Sequence, residues 1–114
     1  MSARTVAERM RARRETWFKV GGVEYLIRRP RHLDLGLAFR EGGQTEVALR
    51  AVVGWRGMKL CDLIPGEPDI EAPFDEDTFR EWVGDHVDVL TEIAAEVARL
   101  IDLEFSAAEN AAKN

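Results

Sequence analysis

The sequence predicts an α+β fold: a small, mainly helical domain with an N-terminal β-hairpin and a long C-terminal helix. Three observations predict it. A chain of 114 residues, 46% apolar and 32% charged, is one domain by length and ordinary globular protein by composition. The stretch "TWFKVGGVEYLIRRP" sets two aromatic and β-branched runs on either side of Gly21-Gly22, a pair able to make the tight turn of a two-residue hairpin. From Asp85 onward, Val87, Leu90, Ile93, Ala94, Val97, Leu100, Ile101 and Phe105 recur every three or four residues, which is the period of an amphipathic helix.

Residues 1–15 read as a basic arm, either frayed or a short helix, because Arg9, Arg11, Arg13 and Arg14 fall on several faces. No apolar run follows these arginines, so they are not expected to form a secretory signal. A globular domain then spans 16–108, with a flexible tail over 109–114. In the hairpin, alternation puts Trp17 and Lys19 on one face and Phe18 and Val20 on the other. Tyr25 and Ile27 alternate in the same way with Leu26 and Arg28, and Pro30 ends the pairing because it lacks an N–H. A lone hairpin is marginal in water, so one face must lie on the helices.

Leu33, Leu35, Leu37 and Phe39 fit a strand over 31–41 better than a helix, although Leu33 and Leu37 are also one helical turn apart. Val47, Ala48, Ala51 and Val52 predict a helix over 44–53, with Thr45 as N-cap and Gly54 as the C-terminal cap glycine. Trp55 then falls just past the helix end and folds back as an anchor. Residues 56–73 hold three prolines and two glycines and read as a long irregular loop. Asp75 is a good N-cap, Glu76 and Asp77 suit the positive end of a helix dipole, and Phe74 with Phe79 has staple spacing. Phe79, Trp82 and Val83 give that short helix its apolar face. The terminal helix, run from 86 to about 108, would be roughly 35 Å long at 1.5 Å per residue.

The net charge of −5 is unevenly spread. Residues 1–40 carry ten Lys/Arg against four Asp/Glu, whereas residues 41–114 carry six against seventeen. A basic head on an acidic body implies that the two ends meet different things, or attract each other within the fold or between copies. Nucleic-acid binding through the arm would need no more than phosphate neutralisation, but no aromatic is interleaved with the arginines to stack bases.

The side chains predict neither catalysis nor a bound cofactor or metal. His32 and His86 have no Cys or carboxylate partner at metal-ligand spacing. Cys61 has no neighbouring His, cannot form an internal disulfide, and reads as a small buried hydrophobe. Asp75, Glu76 and Asp77 lack the glycine and alternating ligands of a calcium loop. What rises above background is three tryptophans and five phenylalanines beside an oversized terminal helix, a composition that suits an interface as well as a core. No apolar run approaches the length of a membrane span.

The order of these features resembles the tail assembly chaperones of long-tailed bacteriophages. The resemblance covers roughly residues 16–114 and is carried by "IRRP", "AVVGWRGM", "APFDEDTF" with the helix after it, and the terminal "KN". It implies a protein of the host bacterial cytoplasm that oligomerises, binds and solubilises the long helical tape measure protein, and helps bring tail tube subunits to it. It also implies a longer form made by a ribosomal frameshift near the end of the reading frame, and A-rich codons for Lys113-Asn114 are compatible with such a slip. Binding a helix in a groove needs an apolar channel and a soluble exterior, not catalytic residues. On this reading the partner contacts are Trp55, Met58 and Trp82, with the stripe Leu90, Val97, Leu100 and Ile101. Two readings remain beside it: a virion component such as a head–tail connector or minor tail protein, and a small nucleic-acid-binding regulator using Arg9 to Arg14.

Overall fold

The computed structural model describes residues 4–113. In chain order the elements are α1 (Val6–Arg13), β1 (Glu15–Val20), β2 (Val23–Arg28), α2 (His32–Ala51), β3 (Val52–Arg56), α3 (Leu60–Leu63), α4 (Glu76–Val83) and α5 (Val87–Lys113). The first three residues of the basic arm and the last residue of the tail, Asn114, lie outside the described residues.

The hairpin forms as expected. β1 and β2 are antiparallel with Val20 opposite Val23, and Gly21, the first residue of the turn, takes φ 62°, as a type II′ turn requires. Tyr25 and Ile27 face inward and are almost completely buried, each burial contributing about 1.5–3 kcal/mol. Trp17, on the other face, is 40% exposed and lies under the guanidinium of Arg56 at 3.9 Å.

Two local assignments are corrected. Residues 32–41, within the stretch 31–41 expected as strand, begin α2 instead. Asp34 accepts hydrogen bonds from the backbone N–H of Arg31 at 2.9 Å and from its guanidinium at 2.8 and 2.9 Å, which fastens the first turn. The four-residue spacing of Leu33 and Leu37 therefore outweighs the alternation. Gly43, with φ 68° and ψ −151°, divides α2 at a kink, and the helix expected from residue 44 begins just after it, with Gly43 rather than Thr45 as the non-helical residue at its start. The second correction concerns Gly54, which caps no helix. Residues 52–56 form β3, which adds to β2 to complete an antiparallel sheet of order β1-β2-β3. Gly54 sits opposite Leu26 and Trp55 opposite Tyr25; a register shift beside Ile27 leaves Val53 as an extra residue. The fold class is nevertheless the predicted one, with the hairpin, the helices and the long terminal helix all present.

Trp55 is an anchor as expected, though from a strand. Its ring is 7% exposed and meets Phe74 edge-on at 5.2 Å, while its Nε1–H donates to the Ala72 carbonyl at 2.9 Å. That bond helps close the loop after β3. The backbone N–H of Ala72 donates to Met58 and that of Leu60 to Ile70, both at 2.8 Å, so the stretch read as irregular has a hydrogen-bonded neck. Asp75 caps α4 as predicted, accepting from the backbone N–H of Thr78 at 2.7 Å. Phe79 and Val83 turn inward from α4 to meet Tyr25, Ile93 and Val97 in one core. α5 crosses this core, packs along α2, and continues as helix through Lys113.

The described part of the arm is helix α1. Thr5 and Glu8 form a reciprocal capping box at its start. No residue of α1 is buried, in keeping with arginines on several faces. Its C-cap, Arg14, joins it to the sheet: the backbone N–H of Arg29 donates to the Arg14 carbonyl at 2.8 Å.

Candidate partner-binding site

The residues expected to touch a partner divide into two groups. Met58 and Val97 are 1% and 2% exposed, and Trp55 is buried against Phe74 and Phe79. These three hold the core, and the folded chain does not present them. The interior, rather than the surface, takes up these large apolar side chains. Trp82, Leu90, Leu100 and Ile101 are half-buried against the same core. Trp82 stacks on His86 at 4.1 Å, and both line a concavity rimmed by Asp62, Asp75, Asp77 and Glu81.

The surface that suits an apolar partner lies between α2 and α5. Leu35, Phe39, Val47 and Ala48 form one wall; Ala94, Ala95, Ala98 and Ile101 form the other, with Val97 between them. The hollow has a volume of about 240 Å³, and Gln44 is the sole polar side chain along it. Local sequence explains the shape. Three alanines on one face of α5 let the backbone approach, and the kink at Gly43 turns the first half of α2 away from its second half. Phe39 is 53% exposed at the lip of this groove. Leu33 and Leu37, on the same half of α2, are also exposed, as are Leu103 and Phe105 farther along α5.

Of the residues expected to touch a partner, Ile101 edges this groove and Val97 lies beneath it as a buried core residue, while none of those expected contacts lies on the α2 wall. Alternation predicts Leu35 and Phe39 on one face of a strand, whereas both lie on α2. The signal that could have located them was the four-residue spacing of Leu33–Leu37 and Leu35–Phe39.

The other candidate groups are occupied structurally. His86 Nδ1 lies 2.8 Å from the Trp82 carbonyl; since a carbonyl only accepts, that nitrogen carries the proton. His32 stacks on Phe105 at 5.0 Å, joining α2 to α5. Cys61, expected as buried, is half-buried with its Sγ 3.9 Å from Asp69. Tyr25 is held to its neutral form, with its pKa raised to about 12 by burial and, secondarily, by the nearby charge of Asp88. Among the described residues, no group of three or more His, Cys, Asp or Glu side chains could hold a metal ion. No helix among them is long and apolar enough to cross a membrane. No family model, curated protein or solved structure matches this chain, so a functional reading rests on the groove and on the sequence resemblance.

Proposed function

We propose that the chain is a non-catalytic tail assembly chaperone of the host bacterial cytoplasm. It takes an amphipathic helix of the tape measure protein into the groove between α2 and α5, keeps that partner soluble, and helps recruit tail tube subunits. The observation that carries this reading is the apolar lining of the groove, open to solvent and continuous with the exposed Phe39. A helix laid in it would bury side chains at every third or fourth position, the pattern of helix-in-groove recognition. The acidic remainder of the chain suits a carrier of apolar cargo, because its net charge keeps the complex apart from its neighbours.

The test is co-expression with the tape measure protein of the same genome, reading the soluble fraction of that partner. Ala98 is exposed on the groove wall, so Ala98→Arg should fill and charge the groove without disturbing the core. The expected result is loss of partner solubilisation with an unchanged melting temperature, the binding loss being about 2 kcal/mol or more, the size of an interface hot spot. Unchanged solubilisation by a folded Ala98→Arg protein would remove the groove from the interface. Purified particles provide a second test: a chaperone is absent from them, whereas a connector or minor tail protein is present.

A further inference from the structure

A second concavity gathers positive charge. Arg11 and Arg14 reach it from α1 and its C-cap, Arg28, Arg29 and Arg31 from the end of β2 and the turn after it, and Arg50 from the last turn of α2. The cavity they edge has a volume of about 330 Å³, and Ala38, Val47 and Ala51 line it from α2. No aromatic side chain lines it.

Four of the six guanidiniums have carboxylates beside them. Arg28 pairs with Glu15 at 2.9 Å, Arg31 with Asp34 at 2.8 Å, and Arg50 with Glu46 at 2.9 Å and also with Glu41. Arg29 lies 4.0 Å from Glu104. Among the described residues, Arg11 and Arg14 are in no ion pair. Arg14 Nη1 donates to the Arg29 carbonyl at 2.9 Å, which fixes its guanidinium at the cavity wall without neutralising it. The Arg14 pKa is held below the usual arginine value, first by burial and then by repulsion from Arg31, Arg28 and Arg29, with Asp34 opposing. Two of the six guanidiniums, those of Arg11 and Arg14, thus have no carboxylate partner of their own among the described residues.

We propose that this cavity binds the phosphate dianion of a small phosphomonoester, whose apolar part lies on the floor of Ala38, Val47 and Ala51. Charge, geometry and shape agree on that class. A phosphomonoester carries close to two negative charges near neutral pH and can engage both guanidiniums that lack a carboxylate partner, while a monocarboxylate carries one. Planar guanidinium forks bind phosphate oxygens two at a time, and hydrogen bonds between ionised partners are the strong ones. A nucleic acid presents singly charged diesters along a line and gains from stacked bases; the concave site has no aromatic to stack them. The volume lies at the small end for ligand pockets, which suits a compact ester.

The test is isothermal titration of the full chain with phenyl phosphate, and separately with inorganic phosphate and benzoate, near neutral pH. Equimolar saturation by phenyl phosphate is expected, at least about tenfold tighter than either of the other two, since each lacks the ring or the second charge. Arg11→Gln and Arg14→Gln should each weaken it by about tenfold, the scale of one charge-assisted hydrogen bond. Arg99→Gln, which removes a remote guanidinium paired with Glu96, should leave it unchanged. Should Arg14→Gln disturb the fold through its lost bond to Arg29, Arg11→Gln carries the test alone. Equal affinity for benzoate or inorganic phosphate overturns the proposal, as does indifference to Arg11→Gln. Stronger, steeply salt-dependent binding to a short DNA duplex overturns it in favour of a nucleic-acid surface.

Discussion

Glu46 is the side chain through which α2 and α4 hold each other. It accepts from Arg80 Nη2 at 2.8 Å and Nη1 at 3.2 Å, and from Arg50 Nε at 2.9 Å. The Arg80 hydrogen bonds, and after them those of Arg50, hold its pKa down at about 2 from an ordinary value of 4.5. A carboxylate depressed in the folded state stabilises the fold above its unfolded pKa and loses that contribution as pH falls toward its folded one. The stability of this protein should therefore decline from about pH 4.5 down to about pH 2, with Glu46 a main cause. Asp34, held at about 2 chiefly by the guanidinium of Arg31, adds to the same decline. Denaturant titrations at several pH values across that window check it: Glu46→Gln should be less stable near neutrality and show a shallower fall on acidification. An unchanged slope would mean that the pair persists in the unfolded chain or contributes nothing.

At the scale of elements, the two halves of α2 respond oppositely to the same substitution. Gly36 lies in its first half with open space where a Cβ would be, so Gly36→Ala should stabilise by about 0.5–1 kcal/mol through helix propensity. Gly43 also has space around it, but its φ of 68° and ψ of −151° belong to a region that is essentially glycine's alone. Gly43→Ala should cost about 1–3 kcal/mol, and urea midpoints of the two variants should move in opposite directions. The same helix shows which elements the sequence exposes. The hairpin and the α4 cap are legible because their determinants lie within a few residues: Gly21 between its strands, Asp75 three residues before Thr78. β3 is not legible, because what makes Val52–Arg56 a strand is the open edge at Tyr25 and Leu26, far away in sequence. Its glycine resembles a helix terminator until that neighbour is known. The groove suffers likewise, since the outer wall depended on assigning the correct period to Leu35 and Phe39.

The described molecule is elongated, measuring 57 × 40 × 24 Å with a radius of gyration of 15.9 Å, where a compact chain of this length would have about 13 Å. α5 accounts for much of this: 27 helical residues span about 40 Å, and those from 102 to 111 are exposed. The outer part is steadied by the Phe105–His32 stack and by Glu104 facing Arg29. Ending the chain after Phe105 should lower the radius of gyration in solution scattering and leave the urea midpoint nearly unchanged. Ending it after Ile101 should reduce stability by about 1 kcal/mol, since the stack and an exposed ion pair are each modest. Equal destabilisation by both truncations would show that the last turns contribute to folding. At the other end of the core, the neck made by Trp55, Met58, Leu60, Ile70 and Ala72 separates the loop beyond it from the sheet. Residues inserted near Pro65-Gly66 would lengthen a bight that is already tied off, and each doubling of such a loop costs only about 0.6 kcal/mol. This is where the chain can gain or lose length by inheritance while everything inside the neck keeps its place.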